Sequence, residues 1–231
     1  MGSPYDTEAR FRSKSGITWT GYMAHLTETC DEGAPRLVVH AEATPANVHE
    51  AMRTEPIHAA LCGKGLAPSE HLVDAGYVSV AHLVASRQRF GIDLVGPPRP
   101  DVSWQGRMER AFGVTDFAVE WDRQRVRCPE GRTSTSWCEY EDKTRGRLVA
   151  ASFSSDDCRA CPSRARCTQA KKRGRVLHLH AREEHEALGA ARARSENDAG
   201  WKLYAQRQGV ESAIAQAPRA RSACAGRATA G

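Results

Sequence analysis

The sequence predicts an α/β fold for this chain of 231 residues. Three features predict it: an antiparallel β-hairpin near the N-terminus, a strand–helix–strand unit that follows it, and a long helical segment towards the C-terminus. A stretch of different composition separates the last two features. The length suits one main fold that carries a smaller insert.

The hairpin prediction rests on two β-rich runs, residues 17–29 and residues 36–43. The first run alternates bulky and polar residues, and the segment that joins the two, Cys-Asp-Glu-Gly-Ala-Pro at residues 30–35, has the composition of a turn. Residues 54–64 follow with helical character. We therefore expect two antiparallel strands and then a helix.

The strand–helix–strand unit occupies residues 70–95. Residues 70–73 form a short apolar run, residues 78–90 have helical spacing of their apolar side chains, and residues 92–95 form a second short apolar run before Gly-Pro-Pro. This order is typical of a βαβ unit with two parallel strands. We assign residues 1–100 to a partial main fold.

Residues 101–176 differ from what precedes them and are predicted to be a small β-rich insert that contains cysteine. Two alternating runs, residues 117–128 and residues 148–153, are separated by polar, charged segments. Both runs favour strands, and the segments between them favour loops.

The C-terminal part of the main fold is expected to be helical over residues 177–217. Residues 182–216 are rich in Ala, Glu and Arg and contain no proline, which favours one long helix or two helices end to end. Residues 218–231 contain no Leu, Ile, Val, Met or aromatic residue and cannot contribute to a core. We expect that last segment to be disordered.

Composition and charge limit the class of protein. No stretch approaches the roughly 18 consecutive apolar residues of a membrane span, so a soluble cytoplasmic protein without a membrane partner is expected. The net charge is +5, but residues 171–231 carry 12 basic and 6 acidic side chains against 9 and 11 in residues 1–100. The basic C-terminal third suits a polyanion such as nucleic acid, although a solvated helical surface would give the same count.

Asp74 is the most informative single position, because Leu-Val-Asp-Ala-Gly-Tyr places a carboxylate where a short strand runs into a turn. Metal-binding and catalytic groups of α/β folds collect at the carboxyl ends of strands. A strand-end aspartate is also a common helix N-cap, and the motif alone does not separate the two interpretations.

A second carboxylate lies in the C-terminal helical segment. Tyr204, Arg207 and Glu211 follow the pattern Tyr-x-x-Arg-x-x-x-Glu, and these offsets place them on one helical face. An ordinary exposed face with an Arg and Glu pair is the alternative. The aspartate motif and this pattern together make chance a weaker explanation.

Four segments in the same order resemble the DDE domain of bacterial insertion-sequence transposases. They are Ser-Pro-Tyr-Asp-Thr-Glu-Ala-Arg at 3–10, Gly-Tyr-Met-Ala-His-Leu-Thr-Glu-Thr-Cys at 21–30, His-Leu-Val-Asp-Ala-Gly-Tyr at 71–77 and Gly-Val-Glu at 209–211. The resemblance runs from about residue 3 to residue 216. It implies a ribonuclease H-like mixed sheet with flanking helices, DNA transposition as the activity, DNA as the partner at transposon ends and target, and a cytoplasmic, nucleoid-associated bacterial protein. The intact family member is expected to form a homodimer.

The resemblance also implies site residues and a cofactor. Asp74 matches the second of two catalytic aspartates and Glu211 matches the catalytic glutamate, so both are expected to bind Mg²⁺ or Mn²⁺. Hard carboxylate oxygens suit these ions, and two of them about 3.5–4 Å apart activate the attacking oxygen and stabilise the leaving oxygen in phosphodiester chemistry. Tyr204 and Arg207 are predicted to contact DNA phosphates, Arg207 more effectively through its guanidinium.

The chain departs from the family pattern at both ends. The first catalytic aspartate would lie on a strand before residue 3, and neither Asp6 nor Asp31 is a convincing replacement. After Glu211 the family has a basic residue and a closing apolar helix, whereas here Pro218 interrupts the helix and an Ala, Arg and Gly tail follows. We expect a frameshifted tail and a chain that is catalytically inactive by itself.

The insert contains a cysteine cluster that predicts a second kind of metal site. Cys158, Cys161 and Cys167 form Cys-x-x-Cys followed by a third cysteine, and Cys128 offers a fourth thiolate. Four soft ligands suit tetrahedral Zn²⁺. Reduced free thiols are the alternative, because the spacing is not the stricter pair of two Cys-x-x-Cys knuckles.

A basic run beside this cluster is the remaining candidate for DNA contact. Six basic residues and no acidic one lie between positions 164 and 175, and among them Lys171, Lys172 and Arg173 are consecutive. Such a run binds phosphates or forms a solvated loop.

The leading hypothesis is therefore a DDE transposase fragment, and the alternatives are a non-catalytic zinc-containing DNA-binding module or a decayed remnant.

Overall fold

The structure is a computed structural model that describes residues 5–211. These residues form two compact units, one made of residues 5–97 with residues 191–211 and the other made of residues 98–190. Both units contain helices and strands, which confirms the predicted α/β class. No helix within the described range has the length and apolar character needed to cross a lipid bilayer.

The first unit begins with a three-stranded antiparallel sheet in the order β1-β2-β3. Its strands are β1 Arg10–Lys14, β2 Ile17–Glu28 and β3 Val38–Pro45. β2 and β3 confirm the predicted hairpin. β1 was not predicted; it pairs with β2 across a two-residue turn, Ser15 and Gly16, in which both residues have positive φ angles as a tight hairpin turn requires.

The predicted βαβ unit follows and is confirmed. It consists of β4 Glu70–Leu72, α2 Val80–Phe90 and β5 Asp93–Val95. The helix α1 Thr54–Gly63, which was predicted separately, precedes it. β4 and β5 are parallel and pair over three residues, Glu70 opposite Asp93 through Leu72 opposite Val95. α2 begins where the Ser79 side chain accepts a hydrogen bond from the His82 backbone and ends at Gly91 in the left-handed conformation. These caps fix the length of the connection between the strands.

A buried ion-pair cluster holds the loop after β3 against β1. The Glu50 side chain is 8% exposed and binds Arg12 Nη2 at 2.8 Å and Lys14 Nζ at 2.7 Å. Burial alone would raise the pKa of this carboxyl, but the hydrogen bonds from Lys14 and Arg12 lower it to about 2. Gly76 lies against the same side chain, since a Cβ there would be 3.3 Å from Glu50 Cδ. Glu50 therefore connects β1 to the turn that contains Asp74.

A histidine pair with one ring fully buried and the other half-buried lies between α1 and β4. His58 is fully buried, and its Nε2 lies 3.0 Å from Nδ1 of His71. The other ring nitrogen of His58 has no hydrogen-bond partner among the described residues. Burial lowers the pKa of both imidazoles to about 4. Both rings are therefore neutral near pH 7.

The second unit is built around a three-stranded antiparallel sheet in the order β10-β9-β8 and a small separate hairpin. Its strands are β6 Ala118–Glu120, β7 Arg125–Arg127, β8 Ser136–Asp142, β9 Gly146–Ser152 and β10 Val176–His180. Its short helices are α3 Trp104–Arg107, α4 Ser155–Arg159 and α5 Arg164–Cys167. Phe117, Val126, Phe153 and Leu177 lie in its core.

Two expectations for this unit need correction. Residues 117–128 are not one strand but the hairpin β6–β7, because residues 121–123 form a 3₁₀ turn and Gln124 has a φ of 50°. Residues 136–142, expected to be loop, form β8, whose polar side chains face outward while its backbone pairs with β9. Periodicity of apolar residues does not detect a strand of that kind.

The helical segment after β10 consists of two helices, one of the two predicted arrangements. They are α6 Arg182–Glu196 and α7 Asp198–Ala205, and a 3₁₀ turn, Gln206–Gln208, follows. The break falls at Asn197, whose side chain accepts from the Gly200 backbone at 2.7 Å and so caps α7. The second unit extends beyond residue 176, because β10 pairs with β9. The predicted tail, residues 218–231, and residues 212–217 of the predicted helix lie outside the described residues.

Candidate functional site

Asp74 lies where β4 ends in the first unit. The Val73 backbone still donates to Val95 across the strand pair at 2.8 Å, and the chain then turns, with the Tyr77 backbone donating to the Asp74 carbonyl at 2.9 Å. The Asp74 side chain is 58% exposed. Asp74 is not the N-cap of α2, since Ser79 is. The sheet therefore fixes its backbone while its carboxylate faces solvent.

Buried hydrogen bonds around Tyr77 fix the turn. The Tyr77 hydroxyl lies 2.6 Å from His25 Nδ1, and the other ring nitrogen of His25 lies 3.0 Å from Thr44 Oγ1. Thr54 Oγ1 donates to the Tyr77 carbonyl at 2.8 Å. Burial raises the pKa of Tyr77 to about 12 and lowers the pKa of His25, so both side chains are neutral near pH 7. Neither residue was predicted to have a role, although both lie in the segments that carry the resemblance.

The C-terminal helices bring the second predicted carboxylate to the same place. Arg207 Nη1 lies 3.2 Å from Asp74 Oδ1, and Arg207 Nη2 donates to Glu211 Oε1 at 2.8 Å. One guanidinium therefore bridges two carboxylates that are 137 positions apart in the sequence. The guanidinium also lies 5.5 Å from the centre of the Tyr204 ring. The four predicted residues of this group thus surround one point.

The electrostatics of this group follow from exposure. The side chains of Asp74 and Glu211 are 58% and 61% exposed, whereas that of Arg207 is only 17% exposed. Burial lowers the pKa of the Arg207 guanidinium, but Asp74, Tyr204 and Glu211 more than offset this and the pKa is raised. Arg207 is therefore a permanent cation whose bonds go to carboxylates. Its predicted contact with DNA phosphate stays a prediction.

The oxygen donors present fit a hard divalent cation in part. Asp74 and Glu211 supply the carboxylate oxygens that Mg²⁺ and Mn²⁺ prefer. Among residues 5–211, no group of three or more His, Cys, Asp or Glu side chains is assembled as a metal site. The site as described therefore offers two carboxylates and a guanidinium between them, and their role as metal ligands stays a prediction.

The basic run of the second unit divides into two sets. Arg164 donates to the Ala170 carbonyl, Arg166 donates to the Arg110 carbonyl at 2.7 Å, and Arg175 is half-buried near Phe117. The side chains of the other set are exposed and form no ion pair with any acidic residue that the structure describes: Lys171, Lys172 and Arg173. The second set is the one predicted to contact DNA, and its charges are available for that.

The four cysteines of the predicted zinc site lie near one another in the second unit. Cys128, Cys158, Cys161 and Cys167 all line a single cavity of about 30 Å³. Burial, with smaller contributions from the other three thiols, raises the pKa of Cys167. The remaining described cysteines lie elsewhere in the chain.

Comparison with known protein families gives a match to part of the chain. Residues 127–227 match the family model described as Transposase DDE domain, which confirms the resemblance to DDE-class transposases. The matched segment contains Glu211, Arg207 and the four cysteines of the cavity, while Asp74 lies before it. Neither the curated proteins nor the solved structures gave a significant match.

Proposed function

From the resemblance to DDE-class transposases, we propose that the chain carries two of the metal-binding carboxylates of a DNA strand-transfer site, Asp74 and Glu211. The observation that supports this is the shared guanidinium of Arg207, which both carboxylates bind although they lie far apart in the sequence. In this proposal the first unit corresponds to a ribonuclease H-like core. Its reaction would be cleavage and joining of DNA at transposon ends.

Each residue of the site would have a separate task. Asp74 and Glu211 would hold a divalent cation, Mg²⁺ or Mn²⁺, which supplies Lewis acidity to the phosphodiester when bound. Tyr77, fixed by His25, would keep the backbone of Asp74 in place. Arg207 balances the two carboxylates in the absence of the cation and would contact phosphate when a cation competes for them.

We expect the 231-residue chain by itself not to catalyse strand transfer. The resemblance implies three carboxylates, and no third acidic side chain joins Asp74 and Glu211 among residues 5–211. Two carboxylates cannot hold two metal ions in the arrangement that three provide. A strand-transfer assay with Mg²⁺ or Mn²⁺ on matched transposon ends tests this, and robust product would contradict the expectation.

Metal binding tests the site independently of activity. Titration of the chain with Mn²⁺, followed by electron paramagnetic resonance of the free ion, gives a dissociation constant for each variant. We expect Asp74→Asn and Glu211→Gln each to weaken binding about tenfold or more, which corresponds to about 1.4 kcal/mol per lost carboxylate. Glu55→Gln is the matched control. Glu55 also forms an ion pair with an arginine, Arg89, but it is not part of the proposed metal site.

Replacement of the bridging arginine should change the Mn²⁺ affinity in the opposite direction. In Arg207→Gln the carboxylates lose their competing cation, so we expect Mn²⁺ to bind more tightly than in the wild type. Equal Mn²⁺ affinity in all five proteins, the wild type and the four variants, would show that Asp74 and Glu211 do not form a metal site. The proposal would then be wrong.

DNA contact by the exposed basic set is a separate part of the proposal. Each phosphate neutralised on B-form DNA contributes about −0.9 to the slope of log affinity against log salt concentration. Replacing Lys171, Lys172 and Arg173 together by glutamine should therefore make that slope shallower by about 2 to 3, measured by fluorescence anisotropy. An unchanged slope would assign the run to a solvated loop.

The second candidate function is a DNA-binding module without catalysis. The exposure of the basic set favours it, because that surface needs no metal-bound carboxylate. Mn²⁺ titration separates the two candidates, since a module of this kind predicts no effect of Asp74→Asn or Glu211→Gln on metal binding.

A further inference from the structure

Three separate segments of the second unit place four thiols on one cavity. Cys128 follows β7, Cys158 lies in α4 with Cys161 two residues after that helix, and Cys167 ends α5. All four line the same cavity of about 30 Å³. Seven cysteines lie in the described part of the chain, and the other three, Cys30, Cys62 and Cys138, do not line this cavity. The cavity therefore gathers four of the seven described cysteines and none of the other three.

The backbone around the cavity is arranged as short turns that present the sulfur atoms. The Gly131 backbone donates to the Cys128 carbonyl at 2.8 Å, and Gly131 has a φ of 79°, which closes a tight turn after the cysteine. The Arg164 backbone donates to the Cys161 carbonyl at 3.2 Å and makes a second turn. The Arg175 backbone donates to Cys158 Sγ at 3.4 Å. Backbone donors of this kind stabilise a sulfur that carries negative charge.

The surroundings of the cavity favour a structural ion over a catalytic one. Cys128, Cys158 and Cys167 are half-buried and pack against the aromatic core of the second unit, which includes Phe117 and Phe153. Structural zinc sites are closed by four protein ligands, commonly thiolates, whereas catalytic zinc sites keep an open position for water. Thiolates also favour Zn²⁺ over the hard cations that Asp74 and Glu211 are proposed to bind.

We propose that Cys128, Cys158, Cys161 and Cys167 bind one Zn²⁺ ion that joins the hairpin β6–β7 to helices α4 and α5. Among residues 5–211 no three His, Cys, Asp or Glu side chains are assembled as a metal site, so this proposal requires the four thiols to move closer together when the ion binds. Zinc deprotonates the thiols that coordinate it, and its binding free energy adds to folding. This inference is independent of the proposed catalytic function, since it concerns a different unit and different ligands.

Metal analysis of the full chain tests the proposal. The protein is purified with a phosphine reductant, and its zinc content is measured by plasma mass spectrometry. We expect about one zinc per chain in the wild type and at least tenfold less in Cys161→Ser and Cys128→Ser. Cys138→Ser is the matched control, because Cys138 is an exposed thiol of the same unit and should leave the zinc content unchanged.

Thiol labelling of the wild type removes the dependence on variants that fail to fold. Four cysteines should resist alkylation until a chelator is added, and mass spectrometry should identify them as the four of the cavity. Cobalt substitution should give the visible bands of a tetrahedral thiolate complex. Zinc-free protein with all thiols reactive, an iron–sulfur chromophore, or unchanged zinc in Cys161→Ser would each overturn the proposal.

Discussion

Acidification should destabilise the first unit through the pair formed by His58 and His71. His58 is fully buried, its Nδ1 has no hydrogen-bond partner among the described residues, and its Nε2 lies 3.0 Å from His71. Burial lowers the pKa of each imidazole from 6.5 to about 4. Between these two values the unfolded chain binds protons that the native chain does not. Stability is therefore complete above pH 6.5 and falls as the pH is lowered towards 4.

The size of this effect follows from the same shift. Each histidine that remains neutral in the native state costs about 1.4 kcal/mol of stability per pH unit within the window. For His58 alone this reaches about 3 kcal/mol at pH 4, and half-buried His71 adds less because the two titrations are coupled. Domains are commonly stable by only about 5–15 kcal/mol, so the loss should be easy to measure.

Urea denaturation between pH 7 and pH 4.5 measures the effect. Glu50 contributes little in this window, because its stabilising effect is lost as the pH falls from the ordinary carboxyl pKa of 4.5 to its native pKa of about 2. His25 also has a lowered pKa and contributes to the wild-type slope, so the comparison must be made between variants. His58→Phe should have a clearly shallower pH dependence, and exposed His49→Gln should match the wild type. A wild-type stability that is flat over this range, or an identical slope in His58→Phe, would show that the histidine pair does not cause the acid destabilisation.

Three further substitutions test the packing around the Asp74 turn, each by urea denaturation at pH 7. Glu50→Gln should lower the free energy of unfolding by about 2–3 kcal/mol, because it breaks a buried ion-pair cluster. Glu139→Gln, which removes an exposed ion pair, should leave the urea midpoint unchanged. Equal midpoints for the two variants would contradict this. Gly96→Ala should lower the free energy of unfolding by about 1–3 kcal/mol, because the new Cβ would lie 2.5 Å from a backbone oxygen. Gly63 has open space around it, so Gly63→Ala should be neutral or mildly stabilising. A neutral effect of Gly96→Ala would contradict this. Ser79→Ala should cost about 1 kcal/mol through loss of the α2 cap, and no loss would mean that the cap contributes nothing.

Local patterns in the sequence predict the elements that bury one face. The hairpin β2–β3 and the βαβ unit were predictable because their apolar side chains recur with the period of a strand or a helix. β1 and β8 were not predicted, since their side chains are largely exposed and only backbone pairing with a neighbour makes them strands. Such pairing depends on residues that are distant or differently patterned, which periodicity does not register.

The candidate site also has a part that the sequence predicted and a part that it did not. Asp74 could be selected from the sequence because a strand end followed by a Gly-containing turn is a local signal. The hydrogen bond between His25 and Tyr77 could not, because it joins side chains 52 positions apart and each residue is ordinary in its own segment. A polar side chain inside an otherwise apolar, alternating strand is the one signal that could have pointed to His25, since a buried polar group needs a partner.

The ion pairs of Arg207 with Asp74 and Glu211 are weak enough for a divalent cation to replace them, as the proposed metal site requires. Both of its carboxylate partners are more than half exposed, and ion pairs of that kind contribute about 0–1 kcal/mol each. A divalent cation that gains about 1.4 kcal/mol or more from each carboxylate would therefore displace the guanidinium. The buried part of Arg207 would keep it beside the site, where its charge could turn to a phosphate. If the two carboxylates were as buried as Glu50, the same bridge would hold them too firmly for an ion to compete.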